Sequence, residues 1–260
     1  MQILNQFNAI YEKLYVSILN QGYPLLDTID GLFYDIIKNN RISKMNTELI
    51  NLFSKISFSI VIFIVTLSVF KYFILSIENK EKENLLYILI KIAIVYIISN
   101  NSKFIIDYII NIFSIFNDLI LEFGHDVLNK DISFKSLVDI LTMFKVSNND
   151  LFSIEGIINM AICYGTINFI ISMSVKYVVF NLFIVISPIM LLFFYSGSTQ
   201  KIASIWLRNI IYFMFSQVLI KIILVFPIMY GENDIILRII VLGVLYLFYR
   251  IDMYIKELVI

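Results

Sequence analysis

The sequence predicts an all-α, multi-pass membrane protein with about six transmembrane helices, preceded by amphipathic N-terminal helices. Of its 260 residues, 60% are hydrophobic and only 15% are charged. Several apolar runs approach the roughly 20 residues that a bilayer-spanning helix needs. A soluble domain of this composition would present a mostly aliphatic and aromatic surface to water. We therefore expect a multi-pass membrane protein, with lipid as the solvent of its helices.

Residues 1–55 are predicted to form amphipathic helices followed by a basic linker. Apolar residues recur at helical spacing over residues 3–18 and again over 25–37, with a break expected at Gly22 and Pro24. The linker, residues 38–55, carries four basic residues and one acidic residue. The positive-inside rule places such a stretch in the cytoplasm. The chain starts without a signal-peptide pattern, so we expect the spans themselves to direct insertion.

Residues 56–123 are predicted to hold the first membrane helices. Two spans, 56–77 and 85–99, flank a charged turn at 78–84. From residue 100 to 122, polar residues recur every three or four positions and form a stripe on one helical face. Surface-lying helices usually carry Lys and Arg on their polar side, whereas this stripe is mainly acidic. It is therefore predicted to face a wet cavity or a partner subunit rather than to lie on lipid; its candidate residues are Asp107, Asn111, Ser114, Asp118 and Glu122.

Residues 124–156 are predicted to form an extracytoplasmic acidic loop. The loop carries more acidic than basic residues, which favours the outer side of the membrane. It also contains an amphipathic pattern at Phe134, Leu137, Val138, Leu141 and Phe144.

Residues 157–260 are predicted to form a C-terminal membrane region. The apolar stretch 157–195 would make about 58 Å of helix, nearly twice the hydrocarbon thickness. It must therefore be two spans or a helix that breaks, and Lys176 and Pro188 are the candidate breakpoints. A polar turn at 196–200 precedes spans centred on 210–226 and 235–249. One crossing before the turn gives six crossings and keeps Lys201 and Arg208 inside, as the positive-inside rule favours; two crossings give seven.

The sequence offers little for catalysis or cofactor binding, so we expect no enzyme and no cofactor. The single histidine, His125, and the single cysteine, Cys163, rule out metal sites built from several such ligands. His125 could pair with Asp126, but is expected to be an ordinary loop residue, and Cys163 a packing residue. The chain also lacks phosphate-loop and nucleophile-elbow motifs. Its formal net charge is zero, so no bulk field attracts nucleic acid.

Ionisable residues within apolar runs are the default functional candidates of a membrane protein. Lys71 and Lys176 lie near predicted ends and are expected to extend towards the interface. Lys91 and Lys221 lie deeper. Gln217 precedes Lys221 by one turn, so the pair could form a transported-ion site or a polar clamp between helices. Ala161 and Gly165, by their spacing, hint at close helix packing.

The region 187–226 contains a recognisable helical hairpin. It combines Pro188, an apolar run at 189–195, Thr199 with Lys201, and the pair Trp206-Leu207. In these features it resembles the TrbL-type family of inner-membrane proteins of type IV secretion and conjugation systems. The order of an N-terminal helical region, two spans, an amphipathic helix and an outer loop is also similar, although the outer loop here is short for that family.

The resemblance implies a non-enzymatic, oligomeric component of a translocation channel. Such a component would contact other channel subunits and the ATPases that energise transfer, and would help to pass DNA or protein. The candidate assembly and anchoring residues of the hairpin are Pro188, Thr199, Lys201, Trp206 and Arg208. Whatever the function, Trp206 beside Arg208 is expected to anchor the hairpin at the membrane interface. Two alternatives are a secondary transporter for a small solute and a phage or plasmid membrane factor, either holin-like or an immunity protein.

Overall fold

The computed structural model describes residues 2–35, 40–77, 84–142, 153–195, 197–231 and 235–259. These residues form helices and short turns, with no strand among them. The helices are α1 (Gln2–Asp35), α2 (Asn40–Ile77), α3 (Leu85–Asn100), α4 (Ser102–Phe123), α5 (Phe134–Thr142), α6 (Ile154–Val185), α7 (Ser187–Leu192), α8 (Gly197–Tyr230) and α9 (Ile235–Val259). A π-helical turn, Gly124–Leu128, extends α4. The predicted all-α class is confirmed.

Four helices are long and apolar enough to span a membrane. They cover Lys44–Ile77 in α2, Ser102–Leu128 in α4 with its π-helical turn, Ile154–Val185 in α6 and Thr199–Tyr230 in α8. α3 is apolar but has only 16 residues, and α9 is not among the four. The chain thus has the helices of a multi-pass membrane protein, but the predicted count of six spans is not confirmed.

The N-terminal region is one helix, and the break predicted at Gly22 and Pro24 is wrong. α1 runs through both residues. A side chain at Gly22 would meet Ile170 of α6 at 3.2 Å, so the glycine serves close packing of two helices rather than a turn. Pro24 removes one helical hydrogen bond, to the carbonyl of the exposed residue Asn20. Tertiary packing around the buried Tyr23 and its neighbours outweighs that loss.

The predicted basic linker is also helical over the part that the structure describes. α2 begins at Asn40 and continues to Ile77, so residues 40–55 extend the first span; residues 38 and 39 lie outside the described residues. The pattern from 100 to 122 is divided between two helices, because Asn100 ends α3 and α4 begins at Ser102. Asn101 caps the C-terminus of α3, because its backbone N–H donates a hydrogen bond to the carbonyl of Ile97.

The break in the long apolar stretch occurs at Pro188 and not at Lys176. α6 passes through Lys176 and ends at Val185, and Pro188 lies in the first turn of α7. Proline cannot donate a helical hydrogen bond and restricts the preceding residue, which explains the end of α6. Lysine is a good helix former, so Lys176 gives no reason for a break. α8 begins at Gly197, so residues 197–200 of the predicted turn are helical, and Lys201, Trp206 and Arg208 lie in the same helix.

The predicted acidic loop contains α5, a short helix buried by its apolar residues. Phe134, Leu137, Val138 and Leu141 are all buried, whereas Phe144 lies outside the described residues. The amphipathic pattern is confirmed, and its burial shows that this segment belongs to the interior.

The chain divides into two compact units. Unit 1 comprises residues 1–35, 112–178 and 212–260, and unit 2 comprises 36–111 and 179–211. The core of unit 1 centres on an aromatic cluster in which Phe169 and Phe248 stack 4.7 Å apart and Phe134 contacts both. Unit 2 contains a hydrophobic cluster of Val61, Ile92 and Leu192, with Tyr96 and Tyr195 packed against it.

Candidate functional site

The most prominent polar contact in unit 1 is a buried ion pair between Asp30 of α1 and Lys221 of α8. Their carboxylate and ammonium groups are 2.7 Å apart, and both side chains are less than a tenth exposed. Lys221 also stands 5.9 Å from the centre of the Phe134 ring, in cation–π geometry. Burial raises the pKa of the Asp30 carboxyl, and the positive charge of Lys221 opposes this shift.

The structure does not pair Gln217 with Lys221 as predicted, because each contacts a different helix. Lys221 binds Asp30, whereas Gln217 points its amide nitrogen at the sulfur of Met173 on α6, 3.9 Å away. The side-chain oxygen of Gln217 and one carboxylate oxygen of Asp30 are buried without a hydrogen-bond partner among the described residues. The sequence identified Lys221 because it interrupts an apolar run. It gave no signal for Asp30, which lies in an amphipathic helix where an acidic residue is unremarkable.

A second carboxylate of α1 holds α5 in place. Asp27 accepts hydrogen bonds from the backbone N–H groups of Phe134 and Lys135, each at 2.8 Å. These N–H groups belong to the first turn of α5, where the helix itself offers no acceptor and the dipole favours a negative charge. One turn of α1 thus positions α5 through Asp27 and neutralises Lys221 through Asp30. Phe134 takes part in both contacts, because its backbone N–H is bonded to Asp27 and its ring faces the Lys221 ammonium.

Unit 2 has an uncharged polar contact where α2, α3 and α7 meet. Ser99 donates to the carbonyl oxygen of Pro188 at 2.6 Å, and its oxygen lies 2.8 Å from the Ser57 hydroxyl. Elsewhere in this unit, Asn46 donates to the amide oxygen of Asn181 at 2.9 Å. Small hydroxyl and amide groups are the usual interhelical hydrogen-bonding groups of membrane proteins. No feature of the sequence distinguished these residues from other serines and asparagines.

The hairpin residues fall into two groups, both in unit 2. Thr199 donates to the carbonyl of Phe193 at 2.8 Å, and the Trp206 indole donates to the carbonyl of Phe183 at 3.0 Å. Phe183 lies in the last turn of α6, whose carbonyls lack helical donors, so Trp206 supplies the missing donor. Lys201 and Arg208 are exposed.

The role predicted for Trp206 as a membrane-interface anchor needs correction. Its side chain is only 3% exposed, so the ring packs among helices instead of resting in the headgroup region. The sequence signal, a single tryptophan next to an arginine, does not separate an interfacial ring from a buried one. Any effect of Trp206 on assembly would therefore act through the connection between α6 and α8.

The polar stripe of α4 is only partly exposed. Asn111, Asp118 and Glu122 are exposed, whereas Asp107 and Ser114 are half-buried. Burial raises the pKa of Tyr34 of α1, and the negative charges of Asp30 and Asp118 add to this shift. The buried face of α4 is a different one, marked by Ile106, Ile110 and Asn117. The stripe thus leaves carboxylates on the outer surface of a helix suited to span a membrane.

The remaining lysine candidates have different surroundings. Lys71 is exposed, and Lys91 is exposed with its ammonium 5.4 Å from the centre of the Tyr195 ring. Lys176 is 5% exposed, so the prediction that it extends towards the interface is wrong. Its side chain is enclosed within the protein.

His125, Cys163 and the small-residue step complete the candidates. His125 contacts Asp131, 3.1 Å away, and not Asp126, and its side chain is exposed. Cys163 is buried, in agreement with a packing role. Gly165 allows Leu245 of α9 to approach closely, since an added side chain would meet it at 3.3 Å. Within the described ranges, no group of three or more His, Cys, Asp or Glu side chains could hold a metal ion.

Comparison with known proteins identifies no relative. No protein-family model, no curated protein sequence and no solved structure matches the chain.

Proposed function

We propose that this chain is a non-enzymatic subunit of a translocation channel in the cytoplasmic membrane, of the type IV secretion and conjugation class. In this role it assembles into an oligomer, contacts other channel subunits and their ATPases, and helps to pass DNA or protein. α3 and α9 cross the membrane together with the four long apolar helices, which gives six crossings. Residues 38–55 then lie inside and residues 124–156 outside.

The observation that carries the proposal is the exposed polar stripe of α4. Asp118 and Glu122 are exposed residues of α4. Over its most apolar 18 residues, only 11% of this helix is buried within the chain. A carboxylate facing hydrocarbon costs several kcal/mol, so this face requires water or a polar partner. A water-filled translocation path would supply the water, and a neighbouring channel subunit would supply the polar partner. The hairpin of Pro188, Thr199 and Trp206 supports the same class through its resemblance to TrbL-type proteins.

The test replaces the two exposed carboxylates with leucine in the cell that encodes the protein. Asp118→Leu with Glu122→Leu should abolish transfer of DNA or secreted protein while the protein still accumulates in the membrane. Asp118→Asn with Glu122→Gln keeps the face polar and should retain part of the transfer. Glu12→Leu with Lys13→Leu, at exposed positions of α1, is the matched control and should leave transfer intact. Unchanged transfer in the leucine pair, or no transfer function at all in the deleted strain, would contradict the proposal.

The buried ion pair of Asp30 and Lys221 favours a second candidate, a secondary transporter for a small solute. Charged pairs within membrane helices mark many ion and substrate pathways. Flux of a solute into vesicles containing only the purified protein, lost in the double variant Asp30→Leu with Lys221→Met, which leaves no unpaired buried charge, would support this function over the channel.

A further inference from the structure

α1 lies alongside α6 over a length that matches the thickness of a membrane. Towards the start of α1, the Tyr11 hydroxyl donates to the carbonyl of Gly156 at 2.8 Å. Towards its end, the ring centroids of Phe33 and Tyr177 are 5.5 Å apart. The part of α1 from Tyr11 to Phe33 is about 33 Å long. The contacts thus extend over the whole hydrocarbon core of a bilayer, which is roughly 30 Å thick.

The two helices run in the same direction and stay in contact between these ends. A side chain added at Gly22 would meet Ile170 at 3.2 Å and Thr166 at 3.4 Å. The Thr166 hydroxyl donates to the hydroxyl of Tyr23 at 3.2 Å. Successive contacts therefore advance along both helices in chain order. Because α6 is long and apolar enough to span a membrane, a helix that follows it over this length crosses with it.

The outer face of α1 is polar near the level of the membrane centre. Gly22 packs against Thr166 and Ile170, which lie close to the midpoint of α6. Asn20 and Gln21 lie within one turn of Gly22, and both are exposed. A polar outer face explains why α1 is not among the four helices that are apolar enough to span a membrane.

Pro24 adds a backbone carbonyl to the same face. Proline has no N–H, so the carbonyl of Asn20, one turn earlier, loses its helical donor. Ser17, one turn before Gln21, is also exposed and extends the polar face. Amides and free carbonyls are strongly disfavoured in hydrocarbon, and ordered water satisfies such carbonyls in membrane helices that contain proline. Tightly packed interfaces between membrane helices are instead rich in small residues, so this face favours water over a packed helix.

We propose that α1 crosses the membrane beside α6 and that its outer face, formed by Ser17, Asn20 and Gln21, lines a water-filled path. The direction of α1 agrees with the orientation proposed above. Like α6, α1 begins on the outer side, and it ends on the inner side, where residues 38–55 lie. α1 is then a crossing in addition to the six of the more apolar helices. The inference goes beyond the proposed function, because it depends on α6 crossing the membrane and not on which substrate passes.

Labelling of introduced cysteines in membranes by an impermeant thiol reagent tests the water-filled path. The background is the full chain with its single cysteine replaced, Cys163→Ala. Asn20→Cys should react about tenfold faster than Ile167→Cys, because the reactive thiolate forms in water and not in hydrocarbon. Ile167 is the matched control, since it is also exposed and follows Thr166 at the same level. Ser17→Cys should react as fast as Asn20→Cys and serves as the probe if Asn20→Cys does not accumulate.

Two results of this labelling would overturn the proposal. Slow labelling of Asn20→Cys and Ser17→Cys, equal to that of Ile167→Cys, would show that the outer face of α1 meets lipid or a packed partner and no water. Equally fast labelling of all three would show that this level of α6 lies outside the hydrocarbon, which removes the crossing of both helices.

The same reagent tests the crossing of α1 in cells whose cytoplasmic membrane is intact. Gln6→Cys in α1 should be labelled together with Ile154→Cys at the start of α6. Lys44→Cys in α2 should be labelled only after the membrane is opened; all three positions are exposed. Labelling of Gln6→Cys together with Lys44→Cys, and not with Ile154→Cys, would overturn the crossing. The fully reversed pattern, with only Lys44→Cys labelled in intact cells, would support the crossing and contradict the orientation given under the proposed function.

Discussion

The two units of this chain stabilise their interiors by different polar chemistry. Unit 1 buries charged groups, among them the Asp30–Lys221 pair and Arg238, beside an aromatic cluster. Unit 2 relies on uncharged hydrogen bonds, such as those of Ser99 with Pro188 and of Trp206 with Phe183. Burying ions carries a desolvation penalty of several kcal/mol each, whereas hydroxyl and indole donors carry much less. The difference predicts that leaving a buried charge without its partner in unit 1 costs more stability than removing one hydrogen bond in unit 2.

The largest expected effect comes from breaking the ion pair of unit 1. Lys221→Met leaves the Asp30 carboxylate buried without its partner and should lower the free energy of unfolding by about 3–5 kcal/mol. Asp30→Leu combined with Lys221→Met removes both charges and should restore most of that loss. Denaturant unfolding in detergent micelles measures both variants. If the double variant is as unstable as Lys221→Met, the loss comes from removing the ion pair and not from leaving the Asp30 carboxylate buried without a partner.

A smaller loss is expected when the cap of α5 is removed. Asp27→Ala deletes the acceptor of two backbone N–H groups and should destabilise unit 1 by about 1–2 kcal/mol. Asp27→Asn keeps an acceptor oxygen without the charge, so its stability should lie between those of the unaltered protein and Asp27→Ala. Hydrogen exchange of the α5 amides would locate the effect, and unchanged protection of Phe134 and Lys135 would argue against the cap.

In unit 2, loss of the indole hydrogen bond should cost less. Trp206→Phe keeps a buried ring but removes the donor to Phe183, and we expect a loss of about 1 kcal/mol. Trp206→Ala, which also empties the site of the ring, should cost about 3–5 kcal/mol. The same unfolding measurement compares them. Equal losses would mean that the hydrogen bond, rather than packing of the ring, dominates.

The smallest effect is expected at the serine contact of unit 2. Ser99→Ala removes the donor to Pro188 and should cost about 0.6 kcal/mol, the average for interhelical hydrogen bonds in membranes. Ser59→Ala, at an exposed serine that bonds only within its own helix, is the matched control and should be close to neutral. A loss at Ser99 as large as that of Lys221→Met would remove the contrast between the two units.

The sequence predicted the helical class and most helix positions, because long apolar runs and the proline at 188 determine where helices run and end without reference to distant residues. It failed where tertiary contacts decide. α1 passes Gly22 and Pro24 because that turn is packed against α6, and a local breaker signal carries no information about packing. Asp30 was missed for the same reason, since its partner lies 191 residues along the chain in α8. Trp206 is a different case: the sequence singled it out as the one tryptophan, but its buried environment could not be inferred from its neighbours.

The central claim of the proposed function is that the α4 stripe meets a polar partner and not lipid. Photo-crosslinking in living cells tests it, with a photoreactive amino acid at position 118 and, as a control on the apolar face of the same helix, at position 116. Phe116 is exposed like Asp118, so the two probes differ in direction and not in accessibility. The account predicts adducts with protein or nucleic acid at position 118 and far fewer at position 116. Equal yields at both positions, or lipid adducts alone at position 118, would contradict it.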